Sequence, residues 1–328
     1  MGGIFLNENC SKKRMMTNNI VCIADEAYAQ HTAVMLASLF AHNRDKQLRV
    51  FLMTYSMSIE TKRRLSEVVK GHGELHILED DYKDSGINAL NTETTNKVWN
   101  PIMYLKLLIP QKLPLDVERF LFLDVDMVIN HTIDELYDTD LKGNIVAACD
   151  DYKFQATHRQ RLGLNEDDLY VNSGVMVIDL KAWRQKENSC PMIEFLKDYK
   201  DVLNNDQDGF ALYFKGNIML LPNKWNVTTF YFEQEPRILD KYLYEVDDLR
   251  QNPYIVHFCE PIKPWFADCK HPYRHLYRQY LLTTPWKKYR FSYFVSPLSL
   301  LHWKNEMKYW LNRWGVRKES MTMVGLKY

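Results

Sequence analysis

The 328-residue sequence has no Gly-x-Gly-x-x-Gly and no Gly-x-x-x-x-Gly-Lys. Dinucleotide and P-loop readings are therefore poor, because both need glycine backbone closing around phosphate. It also has no net charge. Its 42 Lys and Arg balance 42 Asp and Glu, which argues against general nucleic-acid binding. The six cysteines (Cys10, Cys22, Cys149, Cys190, Cys259 and Cys269) form no Cys-x-x-Cys pair. With no apolar h-region after the basic cluster Lys12-Lys13-Arg14, they fit reduced cytosolic thiols better than a disulfide framework. No apolar stretch approaches transmembrane length, so the expectation is a soluble or membrane-surface protein. No internal repeat or low-complexity segment is found, and the length suits one large domain or two modest ones.

What is present centres on residues 119–130, Arg-Phe-Leu-Phe-Leu-Asp-Val-Asp-Met-Val-Ile-Asn. The apolar run reads as a strand buried on both faces. Strand side chains alternate, so Asp124 and Asp126 are expected on one face, close enough to share a ligand. Two ionised carboxylates against packed strands are costly without a compensating positive charge, and a hard divalent cation carrying a phosphate supplies one. Asp138-Thr139-Asp140 and Asp206-Gln207-Asp208 repeat the spacing without the preceding apolar run, and helix capping accounts for the second equally well.

Taken in order, residues 1–18 read as a flexible polar arm. Strands are expected at 19–24, 48–54 and 74–78, alternating with helices at 27–42 and from an N-cap at Ser58 to Gly71. A helix-like run at 102–109 precedes the carboxylate strand, with further strands at 145–150 and 175–178. Residues 170–175 read as a turn, and a helix starting at Pro191 is expected to reach about residue 204, with another from Asp206 through Phe214. This alternation predicts an open, mainly parallel α/β sheet, whose ligands bind beyond the carboxyl ends of its strands. There Asp25, Asp124 and Asp126 can face one crevice. His257 ends a short apolar strand and Lys263 sits between two prolines, placing a further metal-ligand candidate and a phosphate-facing cation.

Five segments in this order resemble the family 8 glycosyltransferases, retaining nucleotide-sugar enzymes, over about residues 19–282. They are Ile23-Ala24-Asp25, Phe122 to Asp126, Tyr170 to Gly174 with Val177 to Trp183, Asp206-Gln207-Asp208, and His257 to Trp265. The resemblance implies a GT-A fold, a Rossmann-like mixed sheet flanked by helices, with a catalytic domain at 19–285. It implies Mn²⁺ or Mg²⁺ held by Asp124, Asp126 and His257 beneath the diphosphate of a UDP-hexose. Ala24, Asp25 and Tyr28 would then contact the nucleoside. Tyr104, Lys106, Val125, Asn172, Ser173 and Lys263 would complete the donor site, and Asp151, Asp206 and Gln207 would carry catalysis around the sugar. Three positions depart from the family pattern: Tyr104 where an arginine is common, Ala27 where an asparagine is, and Glu260 where a glycine is.

Residues 286–328 differ in character, with nine Lys and Arg against Glu306 and Glu319. Trp303, Met307, Trp310, Leu311 and Trp314 recur at helical spacing beside Lys304, Lys308 and Arg313, which predicts a basic, aromatic helical tail suited to an anionic membrane surface. The whole reading is a metal-dependent retaining hexosyltransferase, cytoplasmic and peripheral on the inner face of the membrane. It would move glucose or galactose from a UDP-sugar to a lipid-linked glycan, and it would bind no nucleic acid. A metal-dependent nucleotidyl- or phosphotransferase and a non-catalytic sugar-nucleotide-binding scaffold remain as alternatives.

Overall fold

The computed structural model describes residues 17–81, 85–90, 101–152, 155–267 and 269–289. The chain opens with β1 (Thr17–Ile23), α1 (Ala29–His42), β2 (Gln47–Thr54), α2 (Ile59–Val69) and β3 (Gly73–Glu79), and its three strands pair in parallel. β1 and β2 are apolar on both faces, so each has to be covered from above and below. α1 covers one face and is itself buried along most of its length. α2 begins as its sequence demands. The Ser58 hydroxyl accepts from the Thr61 N–H, Glu60 stands in the first turn, and the chain turns away at Gly71, whose φ of 82° suits glycine.

After a 3₁₀ run (Pro101–Leu108) and α3 (Ile109–Lys112), β4 (Arg119–Leu123) returns to the other side of β1. Then follow β5 (Met127–Ile129), α4 (Asp134–Tyr137), β6 (Val146–Asp150), α5 (Gln155–Leu162) and β7 (Val171–Asp179). Next come α6 (Leu180–Ser189), α7 (Met192–Lys197), α8 (Asp206–Tyr213) and β8 (Ile218–Leu220). The last elements are β9 (Val227–Thr228), α9 (Val246–Gln251), β10 (Ile255–His257) and α10 (Arg274–Leu281). The main sheet runs β3-β2-β1-β4-β7-β6-β8, and a small sheet runs β5-β10-β9. β7 is antiparallel to both neighbours, so the sheet is mixed, as the GT-A expectation has it. Strand order reverses between β1 and β4, and in such sheets the crevice beyond the strand ends at that reversal receives the ligand.

Several local expectations need correction. The carboxylate stretch is not one strand: β4 stops at Leu123, and β5 belongs to the small sheet. The crossing is pinned by the Asp124 N–H on the Gly174 carbonyl (2.8 Å) and by the Phe258 N–H on the Asp126 carbonyl (2.9 Å). Residues 171–175 are strand rather than turn. The β6–β7 register slips between Ala148 and Asp150, so this part of β7 is bulged: Val171 pairs with Asp150 of β6, and pairing with β4 starts at Val175. The 102–109 run is 3₁₀ in the main, and the helix after Pro191 ends at Lys197. β1 starts at Thr17, inside the stretch expected to be an arm. Residues 1–16 of that arm and 290–328 of the tail lie outside the described residues. No helix among the described residues is long and apolar enough to cross a membrane.

Candidate active site

Asp124 and Asp126 lie where the chain leaves one sheet for the other. The antiparallel β5–β10 pair sets His257 opposite Met127, directly beside them. One ligand atom from each of Asp124, Asp126 and His257 lies within 4.8 Å of the others. His257 Nε2 is 3.2 Å from Asp126 Oδ1 and 4.0 Å from Asp124 Oδ2. A hard oxygen pair with one imidazole suits Mn²⁺ or Mg²⁺. The cradle has no room for another side chain. A Cβ on Gly174 would fall 2.5 Å from His257 Cε1 and 3.0 Å from both Asp124 Oδ2 and Asn172 Oδ1.

Two lysines flank the carboxylates. Lys106 Nζ sits 3.1 Å from Asp124 Oδ1 and 2.8 Å from Asp206 Oδ2, and 4.6 Å from the Phe122 ring centroid. Lys263 Nζ sits 2.7 Å from Asp126 Oδ2 and donates to the Phe258 carbonyl. Burial works against charge at each of these groups. For Asp126 the Lys263 ammonium and His257 outweigh burial and hold the carboxyl well below its usual range. For Asp124 burial wins, aided by Asp126 and opposed by Lys106, and its pKa rises. Burial likewise opposes the charge on both lysines, yet Asp124 and Asp206 raise Lys106, and Asp126 raises Lys263.

The sugar-side candidates form one hydrogen-bonded chain. Asn205 caps α8, its Oδ1 accepting from the Asp208 N–H (3.0 Å), which turns Asp206 and Gln207 toward β7. The Ser173 hydroxyl donates to Asp206 (3.0 Å), and the Ser173 N–H donates to Gln207 Oε1 (3.1 Å). Gln207 Nε2 in turn donates to Asp151 Oδ2 (2.9 Å), and Asn172 Nδ2 faces Asp151 Oδ1 at 3.4 Å. Burial pushes the Asp151 carboxyl up to about 7, against the donors from Asn172 and Gln207. Asp208 has a different use. It takes both Arg161 nitrogens (2.9 and 3.0 Å) and the Tyr170 hydroxyl (2.7 Å), and it locks α5 to α8.

On the nucleoside side, the Ala24 N–H continues the sheet onto the Met53 carbonyl, and Asp25 Oδ1 accepts from the Tyr28 N–H (2.9 Å) at the entry to α1. The Tyr28 ring meets Trp265 edge-on at 5.9 Å, joining this side to the Lys263 loop, and burial raises its phenol pKa. Val125 is buried between the two aspartates. Tyr104 is buried, and its hydroxyl, pushed up to about 12 by burial and then by Asp206 and Asp208, carries no charge. The cation at this end of the site is Lys106 instead. Glu260 turns toward Arg237 (3.4 Å), which offsets its charge. One residue the motifs did not single out belongs here. Asn226 bridges His257 Nδ1 (2.9 Å) and Asn172 Oδ1 (2.8 Å). An asparagine before a two-residue strand carries no sequence signal of that kind.

The comparisons with known proteins bear on the family and the fold. The chain is 27% identical over 277 residues to General stress protein A of Bacillus subtilis, covering 82% of this chain and 94% of that protein. It is 24% identical over 279 residues to the lipopolysaccharide 1,2-glucosyltransferase of Escherichia coli K12, covering 82% and 79%. Among solved structures, the galactosyltransferase LgtC with donor and acceptor sugar analogues superposes with a TM-score of 0.71 at 23% identity, covering 81% of this chain and 96% of that one. The family model described as "Glycosyl transferase family 8" matches residues 19–269, from β1 past the Lys263 loop. With that span and a GT-A sheet of this order, the chain belongs to glycosyl transferase family 8 and is a glycosyltransferase.

Proposed function

We propose that the chain is a metal-dependent retaining hexosyltransferase that moves glucose or galactose from a UDP-sugar to a glycan acceptor, of lipid-linked surface-polysaccharide or lipopolysaccharide type. The observation that carries this reading is the convergence of Asp124, Asp126 and His257 within 4.8 Å, flanked by the buried Lys106 and the partly buried Lys263, at the strand-order reversal. The similarity to a lipopolysaccharide glucosyltransferase supports the acceptor class.

In this reading Asp124, Asp126 and His257 hold Mn²⁺ or Mg²⁺, which when bound supplies positive charge against the donor diphosphate. Ala24, Asp25 and Tyr28 receive the nucleoside. Val125, between the ligands, belongs to the same donor site. Lys263 lies close enough to Asp126 to transfer its ammonium to a phosphate oxygen as the bond to the sugar breaks. Lys106 pairs with Asp206 at 2.8 Å and orients it at the sugar, with Tyr104 on the same side of the site. Asn172, Ser173 and Asp151 fix the hexose hydroxyls and the Gln207 amide.

Gln207 uses both ends of its amide in the network, so it is better built to support an electron-poor anomeric carbon than to attack it. Reaction on one face follows. The bond from C1 to the phosphate oxygen breaks, the acceptor oxygen bonds to C1, and the acceptor proton passes to the departing phosphate. Asp206 and Asp151 lie beside the positive charge that develops in the ring. The basic residues from 286 onward would hold the enzyme at the inner membrane face.

The test is UDP release by purified protein with Mn²⁺ across a panel of UDP-sugars, measured as background hydrolysis. Release from one UDP-hexose that EDTA stops is the expected result. Pyrophosphate release would replace the reading with nucleotidyl transfer, and the absence of both UDP release and UDP-dependent thermal stabilisation would overturn it.

A further inference from the structure

We propose that Asn226 is a positioning residue that fixes the ring tautomer of His257 and ties it to the residues of the sugar pocket. The inference rests on Asp124, Asp126 and His257 being metal ligands. Asn226 is 2% exposed and His257 4%, so each polar atom they carry needs a partner inside the protein. Asn226 follows the 3₁₀ turn Asn223–Trp225 and immediately precedes β9. β9 runs parallel to β10 with Thr228 opposite His257, and this register brings the Asn226 amide alongside the imidazole.

An amide can be placed either way round, and an imidazole can carry its hydrogen on either nitrogen. Here the neighbours remove both choices. The Gly174 backbone N–H can only donate, and it lies 3.0 Å from Asn172 Oδ1. That atom is therefore the carbonyl end of Asn172, which sends Asn172 Nδ2 toward Asp151. The Asn226 atom 2.8 Å from Asn172 Oδ1 must then be its amide nitrogen. Asn226 Oδ1 is left 2.9 Å from His257 Nδ1. A carbonyl oxygen only accepts, so Nδ1 carries a hydrogen and Nε2 is the nitrogen left facing Asp124 and Asp126, the one whose lone pair a metal would take. One backbone N–H on the bulged strand thus sets, through two amides, which nitrogen of His257 is the ligand. Partners of this kind orient metal-binding imidazoles. This one also ends on Asn172 and Asp151, so the metal pocket and the sugar pocket share a single hydrogen-bonded frame.

Two variants separate the halves of the frame. Asn226→Leu removes both amide ends at similar volume. Asn226→Asp keeps an acceptor for Nδ1–H but sets a second acceptor against Asn172 Oδ1. Mn²⁺ binding is read by EPR of free Mn²⁺ in the presence of UDP, the tautomer by ¹⁵N NMR of histidine-labelled, metal-free protein, and folding by thermal unfolding. The His257 signals are those lost in His257→Asn. The expected result is a folded Asn226→Leu with about 10–100-fold weaker Mn²⁺ binding and loss of the pure Nδ1–H form. Asn226→Asp should hold Mn²⁺ near the wild-type level while its KM for the UDP-sugar rises. Wild-type Mn²⁺ affinity and an unchanged Nδ1–H signal in Asn226→Leu would overturn the proposal, as would identical behaviour of the two variants. A wild-type protein that takes up no Mn²⁺ overturns the metal reading instead, and the imidazole signals still decide the tautomer.

Discussion

The two halves of the main sheet solve opposite problems. From β1 to β3 the two inner strands are apolar on both faces and the helices cover them, while charge stays on the edge strand β3 and at the surface, as in the Glu60, Arg63, Arg64 and Glu67 ladder along α2. From β4 to β7 and into the small sheet, the interior carries Lys106, Asp151, Asp206, Asp208 and His257, all buried. Buried charges gain little stability over well-packed apolar groups, and breaking one pair leaves a desolvated partner. The first half is a scaffold held by apolar burial. The second spends part of that stability on polar groups fixed before any ligand arrives.

Substitutions in the two halves should differ in kind. Asp126→Asn, in the second, is expected to abolish UDP release and to lower the thermal midpoint as well, because Lys263 loses its counter-charge. A variant with near-wild-type turnover in the hydrolysis assay would remove Asp126 from the ligand set. Lys106→Met leaves Asp124 and Asp206 facing each other without their shared cation, and should cost about 3–5 kcal/mol in urea unfolding. Gly174→Ala drives a methyl against His257 Cε1, so Mn²⁺ affinity should fall more than stability does, as titration calorimetry alongside thermal melts would show.

A weaker effect should appear with pH. Burial raises Asp151 to about 7, so between the ordinary carboxylate range and neutrality the folded protein binds a proton that the unfolded chain has released. Stability from this group is therefore present at acid pH and lost as pH rises toward 7. Asp151→Asn should flatten that part of the profile of urea midpoint against pH. Smallest of all, Arg63→Ala on α2 should leave the midpoint within error, since exposed ion pairs contribute little. A large loss there would erase the contrast between the halves.

The same contrast governs what the sequence reveals. In the scaffold half, local rules decide the outcome. Two-sided apolar runs are strands, Ser58 caps a helix and Gly71 ends it, and all of these are found where the sequence puts them. Near the site, long-range partners decide. Asp124 and Asp126 converge because the backbone changes sheets, held by Gly174 and Phe258, and no period-two reading contains that crossing. Residues 171–175 look like a turn because Asn, Ser and Gly favour one, yet Val171 pairs with Asp150, the Gly174 carbonyl accepts from the Asp124 N–H and Val175 pairs with Leu123, which makes the stretch strand. Asp206 and Asp208 look alike in sequence. Only the neighbours tell them apart, since one meets Lys106 while the other is consumed by Arg161 and Tyr170. Asn226 is silent because its role depends on the β9–β10 register.

The crossing between the two sheets also has a temporal consequence. Asp124 and Asp126 leave the ribosome long before His257 and Lys263, and β5 has no antiparallel partner until β10 exists. A nascent chain that has completed the parallel scaffold can already be compact, yet it lacks two of the cationic or ligating groups that face its aspartates. Contacts between segments this far apart form late and slowly. On the proposed reading, the site is complete only when synthesis has passed the Lys263 loop.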